Sequence, residues 1–218
     1  MLTLNNIYVG KILEDINLHV EEGEFVLVVG PNGAGKTTLF NVISGRIFPS
    51  SGSISIAEQD VTRLPQHKRS SLVSSVLQNP RMGTINNMTI LENLSLAYIR
   101  TENRKITPKT VAYFKEKLSI LGMNLENRIE EYAKNLSGGQ RQALCMIMAI
   151  IADYKVLLLD EVTSALDPSS SDMIVEIINK IVSMEKKTCL LITHNLQQMK
   201  NLGNRTLLIK EGKLVEQK

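Results

Sequence analysis

Phe25-Val26-Leu27-Val28-Val29-Gly30-Pro31-Asn32-Gly33-Ala34-Gly35-Lys36-Thr37-Thr38 is the stretch on which the fold turns. Five apolar residues in a row, without the polar alternation of a half-exposed strand, predict a strand buried on both faces. Beyond the glycines, Leu39, Phe40, Val42 and Ile43 recur at helical spacing over 37–44, and Gly45 stands where a helix would stop. Between strand and helix, Gly30 to Thr37 fits G-x-x-x-x-G-K-[ST]. Glycines let the backbone curl so that several N–H groups face a phosphate, and the helix N-terminus adds partial positive charge. Lys36 would then reach the β- and γ-phosphates, and the Thr37 hydroxyl would be a Mg²⁺ ligand. A turn that only reversed the chain would need glycine but not Lys followed by Thr. The motif therefore points to a nucleoside triphosphate site, shared by kinases, GTPases, motors and transporter ATPases alike.

Upstream, Leu2 to Tyr8 and Asn17 to Val20 read as strands, and 21–24 as the turn into the buried run. From Ser71 to Asn135 the texture becomes helical. A capping box, Thr89 with Glu92, opens a helix over Ile90 to Tyr98, and Thr107-Pro108 opens another that Gly122 closes. Strand and helix then resume: Val156 to Leu159, Pro168 to Met184, Thr188 to Thr193, a short helix from Leu196, and a hairpin pairing Thr206 to Ile209 with Lys213 to Val215.

The whole chain, 218 residues with 43% hydrophobic and 22% charged, has ordinary globular composition and no internal repeat. A net charge of +3 and an aromatic content of 4% without Trp do not suggest a nucleic-acid surface. The longest apolar run, Ala143 to Ala152, falls short of the roughly 18 to 20 residues that span a bilayer. No basic segment precedes an apolar one at the N-terminus, so the protein is expected to stay in the cytosol. Cys145 and Cys189 lie in apolar contexts and read as inert core thiols.

Leu136-Ser137-Gly138-Gly139-Gln140 precedes a helix running to about Ile151. Ser137 and Gln140 alone would make a capping box. Yet Gly138 and Gly139 occupy the first helical positions, where each sacrifices up to about 1 kcal/mol relative to Ala. Two bare backbone units at a helix N-terminus suit close approach to an anion, so these residues read as a second phosphate-contacting surface.

With this second motif the chain resembles the nucleotide-binding subunits of ATP-binding cassette (ABC) transporters over essentially its full length, Leu136 to Gln140 matching the family signature. The resemblance implies an α/β P-loop NTPase of ABC type: a parallel-sheet core (about 1–78 and 156–218), an N-terminal antiparallel β subdomain and a helical insertion (about 79–155). It implies ATP and Mg²⁺ as ligands, with Gly30 through Thr38 cradling nucleotide. It also implies an ATP-dependent head-to-tail homodimer in which Ser137 and Gly139, with Gly138 and Gln140, close over the γ-phosphate held by the partner.

Asp160-Glu161 ends a buried strand, where ligands of open α/β sheets collect. By resemblance Asp160 holds Mg²⁺ and Glu161 polarises the attacking water; Asp160 as a helix N-cap is the bland alternative. Gln78 falls where the family senses Mg²⁺ and water, His194 where it contacts the γ-phosphate, and Ser164 to Asp167 where it places a loop against the opposing subunit. Asp167 before Pro168 would also serve as an N-cap. Tyr8 stands about where the family stacks a ring on adenine, though it could equally pack as a strand residue.

Asp160-Glu161-Val162-Thr163 departs from the family's common Asp-Glu-Pro-Thr, and Ala143 to Met148 replaces a stretch usually rich in arginine. Residues 83–84, 88–94 and 193–198 together resemble a bacterial importer subgroup labelled for tryptophan, tyrosine or related amino acids. The resemblance implies a peripheral subunit on the cytoplasmic face of the inner membrane, partnered by a permease and an extracytoplasmic solute-binding protein. A soluble ABC ATPase without a permease, such as one serving iron–sulfur assembly, is the competing expectation.

Overall fold

The computed structural model describes residues 1–100, 104–185, 187–194 and 205–217. In chain order the elements are β1 Leu2–Val9, β2 Leu13–Val20, β3 Phe25–Val29, α1 Lys36–Ser44, β4 Ser51–Ile56, β5 Gln59–Asp60, α2 Gln66–Arg69 and β6 Val73–Val76. There follow α3 Ile90–Ile99, α4 Pro108–Ser119, α5 Gly138–Ile151, β7 Val156–Asp160, α6 Pro168–Glu185, β8 Thr188–Ile192, β9 Arg205–Lys210 and β10 Lys213–Gln217. The chain divides into two compact units: Met1–Ser75 with Tyr154–Glu161 and Glu185–Lys218, and Val76–Asp153 with Val162–Met184.

The first unit is built on the buried run β3. Its five residues are all buried, and β8 and β9 pair with it in parallel on either side. The six-stranded sheet runs β10-β9-β3-β8-β7-β6, with β10 antiparallel at one edge. A second, antiparallel sheet of order β2-β1-β4-β5 contributes Leu2, Leu4, Ile16, Ile54 and Ile56 to the same apolar cluster as Val26, Val28, Leu39 and Leu158. β2 starts at Leu13, earlier than the expected Asn17. The polar residues that hide its beginning form a bulge, in which Asp15 adopts φ 51 and accepts from the Asn6 side chain at 2.8 Å.

The helical texture expected between 71 and 135 starts only after β6. Val73-Ser74-Ser75-Val76 has two serines at its centre and so lacks a strand's apolar signature, yet Val73 and Val76 are buried and Ser74 is 1% exposed. β4 and β5 were equally unmarked in the sequence, being rich in Ser and Gly. The short helix expected from Leu196 lies outside the described residues.

The second unit packs α3 and α4 against α5 around Tyr98 and Phe114, whose rings meet edge-on at 5.4 Å. Both expected caps form: Thr89 with Glu92 closes a capping box on α3, and Thr107 accepts from the Thr110 amide on α4. The segment before α3 is held from α5. Arg141 donates to the Asn86 side chain at 2.8 Å and to the Ala133 carbonyl at 2.6 Å. Cys145 meets the Pro80 carbonyl at 3.5 Å, and a β-carbon on Gly83 would stand only 2.7 Å from its sulfur. Residues 162–184, expected with the core, fall in this unit; the first turn of α6 packs directly on that of α5 at Gly139 and Ser170.

Burial pushes the Cys145 thiol up to about 12 and the Cys189 thiol higher still, so neither forms a thiolate at neutral pH. Among the described residues, no helix is long and apolar enough to cross a membrane.

Candidate active site

In the first unit, the loop from Gly30 to Gly35 is shaped by what a β-carbon would strike. At Gly30 it would lie 2.2 Å from the Ile209 carbonyl oxygen, so only glycine permits β9 to pair this close to the loop. Gly35, with φ 106, caps α1 without a side-chain hydrogen bond, and the first turn of α1 carries no acid. The leading N–H groups of α1 thus meet neither a capping side chain nor a carboxylate of their own turn. Lys36 is 5% exposed and its Nζ donates to the carbonyls of Gly30 at 2.8 Å and Pro31 at 3.0 Å. A buried ammonium is therefore held over the loop by neutral oxygens. Pro31, Asn32, Gly33 and Thr37 are exposed, Thr38 half-buried and Ala34 buried.

Asp160 and Glu161 follow from β7, whose apolar residues drive the strand into the core and leave its acidic end at the C-terminal edge of the sheet. Asp160 Oδ1 is buried without a hydrogen-bond partner. Burial foremost, then the Glu161 charge, holds the Asp160 carboxyl above its ordinary pKa, against a hydrogen bond from Thr37 and the charges of Lys36 and Arg46. An orphaned carboxylate oxygen beside a hydroxyl is the donor chemistry of a hard cation. Asp160 forms no helix cap, since the next helix begins at Pro168.

Glu161 takes a left-handed backbone, φ 47, and donates its amide to the Ile192 carbonyl at 3.1 Å. Such a conformation in a residue other than glycine is strained and is sustained by its surroundings. The Glu161 side chain meets His194, two residues past the end of β8, with Oε1 and Nε2 2.6 Å apart. Two residues 33 apart in sequence thus share one hydrogen bond. Tyr8, on β1 opposite Ser51, is 39% exposed.

In the second unit, Ser137 caps α5 and exchanges hydrogen bonds with Gln140, so the capping box is real. The two glycines differ. A β-carbon at Gly138 would meet only Leu166 Cδ2 at 3.6 Å, whereas at Gly139 it would strike Ser170 Oγ at 2.7 Å and Cβ at 2.9 Å. Gly139 therefore has a packing reason to be glycine in addition to any role at an anion. Gln78 donates its side-chain amide to Ser164 Oγ at 3.0 Å. Asp167 accepts from the Ser170 amide at 3.0 Å, as an N-cap does, and its bonds to Ser170 and Ser169 hold its pKa below the ordinary value.

Two residues of this unit escaped the sequence reading. Gln142 is fully buried, donates to the Leu77 carbonyl at 3.3 Å and leaves its Oε1 without a partner. An amide on the apolar face of α5 was its only signal. Ser170 had none, because its importance comes from its neighbour across the helices.

The family profile described as ABC transporter matches residues 13–164. The chain belongs to the ABC transporter family. This ABC ATPase is 40% identical over 207 residues to a tyrosine transport ATP-binding protein of Clostridioides difficile, an alignment covering 94% of the chain and 82% of that protein. It is 36% identical over 209 residues to a methionine import ATP-binding protein of Vibrio vulnificus, covering 94% of the ABC ATPase but only 58% of that longer relative. Among solved structures it is similar to a dimeric ATP-binding cassette in a post-hydrolysis state bound to ADP and Pi. The TM-score is 0.82 at 26% identity, covering 99% of this ABC ATPase and 98% of that chain. The α/β fold of the ABC cassettes is thereby established for it.

Proposed function

We propose that this ABC ATPase energises import of an amino acid through a separate permease, on the cytoplasmic face of the inner membrane, with an extracytoplasmic solute-binding protein delivering cargo. The relatives named for tyrosine transport and methionine import support the substrate class. The observation that carries the chemistry is the Glu161–His194 hydrogen bond beside Asp160, at the C-terminal ends of β7 and β8.

In this reading the amides of 30–38 and the Lys36 ammonium bind the β- and γ-phosphates, and Tyr8 stacks on adenine. Glu161 accepts a proton from water as its oxygen attacks the γ-phosphorus. The bond from that phosphorus to the β,γ-bridging oxygen breaks, leaving ADP and Pi. His194 holds the Glu161 carboxylate in place and meets the γ-phosphate. Mg²⁺ carried with the nucleotide suits Thr37 and Asp160 and would offset charge on the phosphate oxygens. Ser137, Gly138, Gly139 and Gln140 of a second copy complete each site head-to-tail, with Asp167 beside that interface; the dimeric form of the similar cassette supports this arrangement.

The test is ATP hydrolysis in vesicles carrying this subunit with a co-purified permease. Stimulation by one amino acid, with uptake of that amino acid, is expected. Hydrolysis by the isolated chain with no membrane protein ever co-purifying would overturn the transport reading and leave an ATPase of another duty.

A further inference from the structure

Arg69 ends α2 and heads the largest fully buried side chains, at 0% exposure. Its guanidinium reaches four backbone carbonyls. Nη1 donates to Val42 at 2.7 Å and Ile43 at 2.8 Å, Nε to Leu64 at 2.8 Å, and Nη2 to Thr62 at 3.2 Å. Val42 and Ile43 lie in the last turn of α1, the helix that follows the phosphate loop, and that turn holds no basic residue of its own. A helix C-terminus favours a cation, and here the cation comes from 26 and 27 residues away in sequence. Gly45 makes room for it, since a β-carbon there would lie 2.8 Å from Arg69 Nε and 2.9 Å from the Leu64 carbonyl oxygen. Burial lowers the Arg69 pKa to about 10, with the Asp60 charge opposing, so the group remains a cation at neutral pH.

The two ends of α1 are thus unlike. The N-terminal end has no side-chain cap and no acid, while the C-terminal end is clamped by a planar fork to the 62–64 segment. Lys would supply the charge but not the fork, which alone spans carbonyls on both sides. Resting on the reading that the loop binds ATP, we propose that Arg69 is a positioning residue for that loop. By fixing the far end of α1, it sets the angle at which the helix N-terminus and Lys36 meet the triphosphate.

The experiment compares wild type, Arg69→Lys and Arg69→Met with Ile56→Val and Ile56→Ala. The latter two lose apolar volume in the antiparallel sheet of the same unit and span a range of melting temperatures. Each is assayed well below its melting point for KM and kcat of ATP hydrolysis. A purely structural loss shrinks the folded fraction and so lowers kcat alone. A tilted α1 weakens phosphate binding, so Arg69→Lys should raise KM about tenfold, the scale of one net charge-assisted hydrogen bond, with kcat within about twofold. Arg69→Met should raise KM further. KM values that match the Ile56 variant of equal melting temperature would overturn the proposal, as would Arg69→Lys behaving as wild type. Wild type that neither binds nor hydrolyses ATP would instead overturn the nucleotide reading, and this proposal with it.

Discussion

Glu161 Oε1 and His194 Nε2 stand 2.6 Å apart, a contact made by a residue that holds a left-handed backbone, φ 47, immediately after β7. The pair joins a carboxylate 15% exposed to an imidazole 44% exposed. Its position makes Glu161 the group to alter first.

Glu161→Gln should keep ATP affinity, because the amide preserves shape, but it cannot accept the proton of the attacking water. Loss of a general base typically costs about 10² to 10⁴ in rate. Phosphate release should fall by that amount, and light scattering after gel filtration in Mg-ATP should show a dimer. A variant that hydrolyses ATP at the wild-type rate would remove Glu161 from the chemistry.

Lys36→Ala should weaken ATP binding as well as hydrolysis, since it deletes the ammonium held over the loop at Gly30 and Pro31. Removing one such preorganised group costs about 10² to 10³ in rate. Titration of a fluorescent ATP analogue separates this outcome from that at Glu161, where affinity persists.

Asp160→Asn should raise the melting temperature of the nucleotide-free protein at neutral pH while abolishing hydrolysis. The folded-state carboxyl has a raised pKa, so the stability it contributes is fully present below its unfolded value near 3.8 and is lost as pH rises through the folded value. The variant's advantage should therefore shrink as the pH is lowered into the carboxylate range. Calorimetry across that range checks the sign, and an Asn variant less stable than wild type at pH 7 would refute it.

Gly139→Ala places a β-carbon 2.7 Å from Ser170 Oγ and should destabilise the second unit by about 1 to 3 kcal/mol, the usual cost of overpacking. Ser170→Gly in the same chain removes the obstruction and should recover most of the melting temperature. If Gly139 also faces a phosphate of a second copy, hydrolysis stays low in the double variant. Full recovery of both would assign this glycine to packing alone.

The phosphate loop was legible because its chemistry is local: one strand, one loop and one helix carry it within residues 25–44. Capping at Thr89, Thr107 and Ser137 was legible for the same reason. What stayed hidden depended on partners distant in sequence. β6 shows serine where a strand signature needs apolar residues, and its four residues acquire meaning only inside the sheet. Arg69 sits in His67-Lys68-Arg69, a basic run with nothing to mark which member turns inward. Glycine at 139 has one explanation in the sequence, close approach to an anion, and only the nearness of Ser170 shows packing to be a second.

Gly83 and Cys145 share a single small volume, with 2.7 Å between a would-be β-carbon and the sulfur. Their substitutions consequently do not commute. A lineage that first trims Cys145 to alanine opens space into which a side chain at 83 can later grow, whereas the opposite order passes through a crowded ancestor. Libraries that randomise position 83 in this background therefore meet the sulfur with every side chain they introduce, an obstruction that an alanine at 145 would remove.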